Sequence, residues 1–337
     1  MPEAGVPVMA VYGAIAIALA FDFLNGFHDA ANSIATIVGT KVLRPIQAVA
    51  IAGAANLAGP FIFGTAVAST VGKGIIQPEF STVYVIAAGL VGGLIWDLLT
   101  WYFGLPSSSS HALIGGLIGS ALAVGGIDAV IWGQGIQKTL IFMVVSPLIG
   151  LAIAYGLTLG LMFALYRARP DKVNKAFGKL QIASSTFFSL THGANDGQKT
   201  MGVITALLIA GGMLGSKAFA VPVPVIMAAA TAMSLGTFFG GWRIVKTMAF
   251  RLTSLKPYQG FCAETGGGAI LTAMAWLGIP VSTTHAITGS IMGTGATKRF
   301  SAVRWGLGRR IIYAWAITIP ASAAIAAACM LVLKAMT

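Results

Sequence analysis

Acidic residues are scarce in this chain, nine in 337 against 21 Lys and Arg, so the formal net charge is +12 while charged residues of both signs make up only 9%. With 57% apolar residues and a mean hydropathy of +0.86, there is too little polar matter to cover a water-facing surface, which excludes a soluble globule. The two cysteines, Cys262 and Cys329, both lie in apolar context, which excludes a disulfide framework and a thiolate metal centre. No basic stretch and no small-residue cleavage site accompany the first apolar run, so that run is expected to be a retained helix and not a signal peptide. The positive excess falls in short clusters between apolar runs, a membrane topology signal and not a nucleic-acid surface.

What the chain does contain is length of apolar sequence. Runs over 6–24, 45–71, 81–103, 137–166, 221–242 and 305–333 reach or approach the roughly 20 residues that a spanning helix needs. An all-α polytopic membrane protein is the expected class.

The chain also repeats itself. Gly104-Leu105-Pro106-Ser107-Ser108-Ser109-Ser110-His111-Ala112 returns as Gly278-Ile279-Pro280-Val281-Ser282-Thr283-Thr284-His285-Ala286, and Asn25-Gly26-Phe27-His28-Asp29 lines up with His192-Gly193-Ala194-Asn195-Asp196. Trp132-Gly133 and Pro147 find counterparts in Trp305-Gly306 and Pro320. Two halves around one central site, the plan of a transporter, follow from this duplication. The expected division is a first repeat at 1–166, a basic cytoplasmic linker at 167–179 and a second repeat at 180–337. If Arg167, Arg169, Lys172, Lys175 and Lys179 are cytoplasmic, Lys41, Arg44, Arg243, Lys246, Arg251, Lys256, Lys298, Arg299, Arg304, Arg309 and Arg310 join them. Lys73, Lys138, Lys217 and Lys334 then fall outside, both termini are extracytoplasmic and the halves have opposite orientation.

In each copy of the Pro-Ser/Thr segment a helix breaker precedes strong N-cap residues, so each is expected to be the tip of a helical hairpin. The N-terminus of the helix that follows offers unpaired N–H groups and about half a positive elementary charge, which suits an anion. The tips are expected to meet near the membrane midplane. His111 and His285 either touch the anion or bond a nearby carbonyl. Asp22, Asn25, His28, Asp29 and Asn32 share one face of a helix, aligned with Ser189, His192, Asn195, Asp196, Gln198 and Lys199 in the second half. An ionisable group near the bilayer centre costs at least ~2.5 kcal/mol, which makes these residues functional candidates. Gly26 and Gly193 are expected to break these helices and free carbonyls for an ion or proton. Lys199 either neutralises Asp196 or meets an anion. Glu264 faces Leu90 in the alignment and Asp97 faces Leu271; each is a proton carrier or a structural acceptor.

These motifs, Asn25 to Ser33, His192 to Lys199 and the two Pro-x-Ser/Thr-Ser/Thr-Ser/Thr-His segments, resemble the bacterial branch of the inorganic phosphate transporter (PiT) family over almost the whole chain. The resemblance implies a phosphate symporter with inverted repeats and no enzymatic activity. Phosphate would bind at Asn32, Ser108, Ser109, Ser110, Gln198, Lys199, Ser282, Thr283 and Thr284. Asp22, Asn25, Asp29, His192, Asn195, Asp196 and Glu264 would serve the coupling cation, with sodium at Asp22, Asn25, Asp29, Asn195 and Asp196. His28 stands where the family has Asn, and Gly197-Gln198-Lys199 departs from the sodium-coupled pattern, which favours proton coupling. No cofactor besides the sodium ion or proton is implied. The alternatives are another tetrahedral oxyanion such as sulfate, or a metal–phosphate complex; a channel needs no pair of opposed gates, and no nucleophile–base pair marks a hydrolase. A bacterial inner-membrane location follows from the same resemblance, and Gly-rich helix faces are a generic route to a homodimer.

Overall fold

A computed structural model describes residues 6–215 and 219–336, so Lys217 lies outside the described residues. Among the described residues twelve α-helices make up the fold. In the first half they are α1 (Val8–Gly39), α2 (Pro45–Phe63), α3 (Ala66–Lys73), α4 (Val83–Phe103), α5 (Ser109–Gly125) and α6 (Gln134–Ala164). In the second half they are α7 (Pro170–Ala210), α8 (Val223–Phe239), α9 (Trp242–Lys246), α10 (Pro257–Trp276), α11 (Thr283–Ala296) and α12 (Trp305–Met336). A π-helical turn, Thr247–Leu252, continues α9. Six of the helical segments are long and apolar enough to cross a bilayer, and α8 with the α9–π segment, bent by 55°, forms a broken span or a re-entrant loop. The protein is an all-helical membrane protein.

The broken elements differ from those the sequence suggests. Helix α1 runs unbroken through Gly26, and α7 through Gly193. The interruptions fall at Gly64 (φ +78°) between α2 and α3, and at Gly240 (φ +67°) between α8 and α9. Both are left-handed positions that suit glycine. Gly26 and Gly193 instead allow backbones to touch. A Cβ at Gly26 would stand 2.0 Å from the Met233 carbonyl oxygen, and one at Gly236 1.9 Å from that of Phe23, at the crossing of α1 and α8. The equivalent crossing of α7 and α2 has the same design, with Gly193 facing the Asn56 carbonyl at 2.3 Å and Gly59 that of Leu190 at 2.3 Å.

The basic stretch expected to be a linker is mostly helical. Residues 170–179 form the first turns of α7, with Pro170 at its first position and Asp171, Lys172, Lys175 and Lys179 exposed. At about 1.5 Å per residue α7 is roughly 60 Å long, twice a hydrocarbon core, so its charged start can project into water while Asp196 is buried.

Packing is reciprocal between the halves. Helix α2 lies on α7 while α8, its counterpart, lies on α1; α6 lies on α11 while α12 lies on α5. The two lead helices run in opposite directions past each other, with Asp22 paired to Thr200 and the Ser33 carbonyl to Ser185. Much of the outer surface is apolar, including Phe61, Ile62, Phe103, Ile141, Val144 and Phe163, as a lipid-facing surface must be.

Candidate functional site

The two hairpins are built alike. Helix α4 ends at Gly104 (φ +64°), and α10 is followed by Gly278 (φ +65°), each a left-handed residue that lets the chain turn before the proline. Ser108 then caps α5 by accepting from the His111 N–H at 3.3 Å, and Ser282 caps α11 by accepting from the His285 N–H at 3.2 Å. Each tip is also held by hydroxyls from the broken segments: Thr247 donates to the Gly104 carbonyl at 2.9 Å and Thr70 to the Gly278 carbonyl at 2.8 Å. The outer helices add one bond apiece, Trp315 Nε1 to the Pro106 carbonyl and His285 Nδ1 with the Met143 carbonyl.

The tips meet around the two Asp helices. Asn32 of α1 donates to Thr283 and Thr284 of the second hairpin at 3.3 and 2.9 Å, and Thr284 donates to Asp29 at 3.3 Å. In the mirror arrangement Lys199 and Asp196 of α7 bond Ser110 of the first hairpin. Asp196 also accepts from Thr283 at 2.7 Å, so one carboxylate touches both hairpins. The rings of His111 and His285 lie 4.8 Å apart where the two hairpins face each other.

Lys199 is fully enclosed, and an ammonium group has three protons to give. All three are used, on Asp196, on Ser110 and on the Val281 carbonyl. Of the two roles its sequence context left open, neutralising Asp196 is the one this arrangement fills. The positive charge is tethered between the two tips.

Other expected site residues sort differently. Gln198, adjacent on α7 and so about 100° around the helix, points away from the tips and accepts from the Val67 N–H at 2.8 Å near the start of α3. No hydrogen bond brings it to the tip cluster. Asp22 sits about 10 Å along α1 from Asp29, bonded to Thr200 at 2.8 Å with its second oxygen unpartnered. Asn25 and Asn195 each keep an unpartnered side-chain oxygen, and Asn195 donates to the Leu271 carbonyl at 2.9 Å. Ser109 has a buried, unpartnered hydroxyl. Glu264 lies in a separate polar cluster, accepting from Thr36, Ser184 and Gln181. Ser184 and Asp196 are three turns apart on α7, about 18 Å, so Glu264 does not join the tip cluster.

Asn56 and Thr100 are partners that no motif announces. Asn56 bonds His192 at 3.2 Å; Thr100 and Ser107 bond His28 at 3.1 and 3.3 Å. These contacts join residues distant in sequence, and a polar residue within an apolar helix is the one signal that marks them. Asp29, His192 and Asp196 place one ligand atom each within 4.8 Å of one another, the set among the described residues best placed to hold a metal ion. Such an ion would compete with the Lys199 ammonium for Asp196.

The burial of charge is lopsided. Asp22, Asp29, Asp97, Asp196 and Glu264 are all buried, whereas Lys199 is the one buried Lys or Arg among the described residues, with His28 against Asp29 and His192 against Asp196. Carboxylates cannot remain ionised and uncompensated in a low-dielectric interior, so protons or cations must accompany this site.

The chain as a whole has known relatives. A probable low-affinity inorganic phosphate transporter of Rhizobium meliloti (strain 1021) is 55% identical over 317 residues, covering 94% of both chains. One of the same description from Bacillus subtilis (strain 168) is 42% identical over 320 residues, covering 94% of this chain and 95% of the other. Among solved structures, one described as the sodium-dependent phosphate transporter superposes with a TM-score of 0.87 at 25% identity, covering 98% of this chain and all of that one. The model of the phosphate transporter family matches residues 25–326. The chain therefore belongs to the phosphate transporter family and is a membrane transporter, not an enzyme.

Proposed function

We propose that this protein is a secondary symporter that imports inorganic phosphate together with a cation by alternating access. The observation that carries this reading is the junction of two hairpin tips on Asp196 and Lys199, with Asn32 and Asp29 reaching the opposite tip. Phosphate binds between the N-termini of α5 and α11, where amides and the hydroxyls of Ser109, Ser110, Thr283 and Thr284 surround it. His111, with neither ring nitrogen bonded, and the unpartnered oxygen of Asn32 stand at the same junction. Ser108 and Ser282 hold the helix starts.

Antiparallel passage of the equivalent helices α1 and α7 supports halves of opposite orientation, residues 1–166 and 180–337, in a bacterial inner membrane with both termini outside. One hairpin then opens to each side, and tips that meet in the middle serve as alternate gates. Five buried carboxylates against a single buried Lys support the need for a coupling cation: a loaded cation offsets the charge of phosphate, so each favours the binding of the other. A tethered ammonium at Asp196 supports protons over sodium as that cation.

Reconstitution tests the reading. In proteoliposomes with separately imposed gradients, labelled phosphate is expected to accumulate saturably under a proton gradient, without a sodium requirement and without competition from sulfate. Uptake that survives in both Asp29→Asn and Asp196→Asn would remove the cation assignment, and unsaturable flux would indicate a channel.

A further inference from the structure

Of the five buried carboxylates, four have hydrogen-bond partners: Asp22 with Thr200, Asp29 with His28 and Thr284, Asp196 with Lys199 and both tips, and Glu264 with Thr36, Ser184 and Gln181. Asp97 has none. Both of its oxygens are enclosed, and neither has a partner.

Its position follows from the register of the first hairpin. Gly93 of α4 packs on the Ala112 carbonyl and Gly89 on Leu117 of α5, while Thr100 and Ser107 are hydrogen-bonded at 2.8 Å closer to the tip. Asp97, between these levels, faces Ser109, whose hydroxyl is also enclosed and unpartnered. The Ser109 hydroxyl is thus the group placed to donate to the Asp97 carboxylate, and no other side chain completes a hydrogen bond to it. In the second hairpin the equivalent pair is Leu271 and Thr283, and Thr283 is engaged with Asp196. Only the first hairpin of this chain has an acid at that place.

A proton is the occupant that fits. Two carboxylate oxygens and one hydroxyl are too few for a hard metal cation, which takes about six oxygens or more. A protonated carboxyl, in contrast, needs a single acceptor and leaves no charge in the interior. The site also touches the proposed phosphate junction from two directions. Ser109 is the first residue of α5, beside the amides that face the anion, and His28 lies within electrostatic reach of Asp97 while bonding Asp29 through Nδ1 at 2.8 Å.

The charged and titratable surroundings are few. From α1, His28 and Asp29 face Asp97; from α7, Asp196 does so at longer range. Helix α5 contributes Ser109 and, two residues on, His111. Arg243 of α9 lies beyond, over the Trp101 and Tyr102 rings and bonded to the Tyr102 carbonyl. Helix α12, packed on the same hairpin, has no charged residue between Arg310 and Lys334.

We propose that Asp97, facing Ser109, is the exchangeable proton site of this transporter. The carboxylate takes a proton from water on the side where phosphate is loaded, forming one O–H bond, and returns it to water on the other side once phosphate has left. The assignment rests on the reading of the chain as a cation-coupled phosphate symporter.

Net accumulation and one-for-one exchange separate this role from a structural one, because exchange needs no loss of the proton from the loaded carrier. Full-length protein in proteoliposomes is measured both for labelled-phosphate accumulation under an inside-alkaline gradient and for phosphate–phosphate exchange at equal pH. Asp97→Asn is expected to lose accumulation by about tenfold or more while keeping exchange near the parent rate, and Asp97→Glu to regain accumulation. Asp97→Asn that accumulates phosphate like the parent overturns the assignment. So does an Asp97→Asn protein that elutes as a monodisperse peak and has lost exchange as well, because that places Asp97 in anion binding or support. Absence of exchange in the parent protein overturns the phosphate reading itself, and this assignment with it.

Discussion

Replacing Lys199 by Met is expected to abolish phosphate uptake and to destabilise the protein by about 3–5 kcal/mol, because it leaves a buried carboxylate without its cation. The side chain's three protons reach Asp196, Ser110 and the Val281 carbonyl, so the change also removes one of the two side chains, with Asp196, that bond both hairpin tips. Met is close to Lys in length and fills the same space, which confines the loss to charge and hydrogen bonding. Pairing it with Asp196→Asn removes the uncompensated charge, and most of the stability is expected to return, as in double-mutant cycles on contacting groups. Transport is not expected to return, since an amide cannot supply the carboxylate that Thr283 and Ser110 both contact. Thermal unfolding in detergent and uptake in proteoliposomes read the two effects separately. A Lys199→Met protein as stable as the parent would mean that Asp196 is held neutral by a proton and not by the ammonium.

The second large effect belongs to Gly26. A methyl group there would stand 2.0 Å from the Met233 carbonyl oxygen, which belongs to helix backbone and cannot step aside as a flexible side chain would. Gly26→Ala is expected to cost about 3 kcal/mol or more by overpacking, and Gly26→Val to prevent accumulation of folded protein. Because Asn25, His28, Asp29 and Asn32 are on the same helix, any Gly26→Ala protein that does fold should also show reduced transport, as the displaced helix carries its polar face away from the second tip. Gly13, on the same helix with open space around its Cβ position, is the control: Gly13→Ala should leave folding and uptake unchanged. A Gly26→Ala protein with parent-like stability and transport would show that α1 and α8 do not touch as described.

How much of this was legible in the sequence varies with the range of the interaction concerned. The caps at Ser108 and Ser282 could be read because a proline followed by hydroxyl residues fixes a local geometry, and the duplication doubled the signal. The polar face of α1 could be read from spacing alone. Gly26 and Gly193 are ambiguous in sequence for a definite reason: lack of a Cβ serves a helix break and a close helix crossing equally well, and only the facing helix decides between them. The true breaks at Gly64 and Gly240 sit in apolar runs that look continuous. Gln198 and Lys199 are neighbours in sequence but point to different parts of the protein, one to the start of α3 and the other between the tips. Asn56, Thr100, Thr36 and Gln181 could not be assigned because their partners lie far away along the chain, at crossings that exist only in the assembled fold.

The reciprocal packing of the halves bears on how such a protein is made. When α6 leaves the ribosome, α1 and α2 still lack α8 and α7, the surfaces against which their glycines close, and α5 still lacks α12. The first half therefore waits in the bilayer as an incomplete assembly, its buried acids without Lys199 and its hairpin without the Trp315 bond. Neither half is thus a domain that can be finished alone: each buries surfaces of the other.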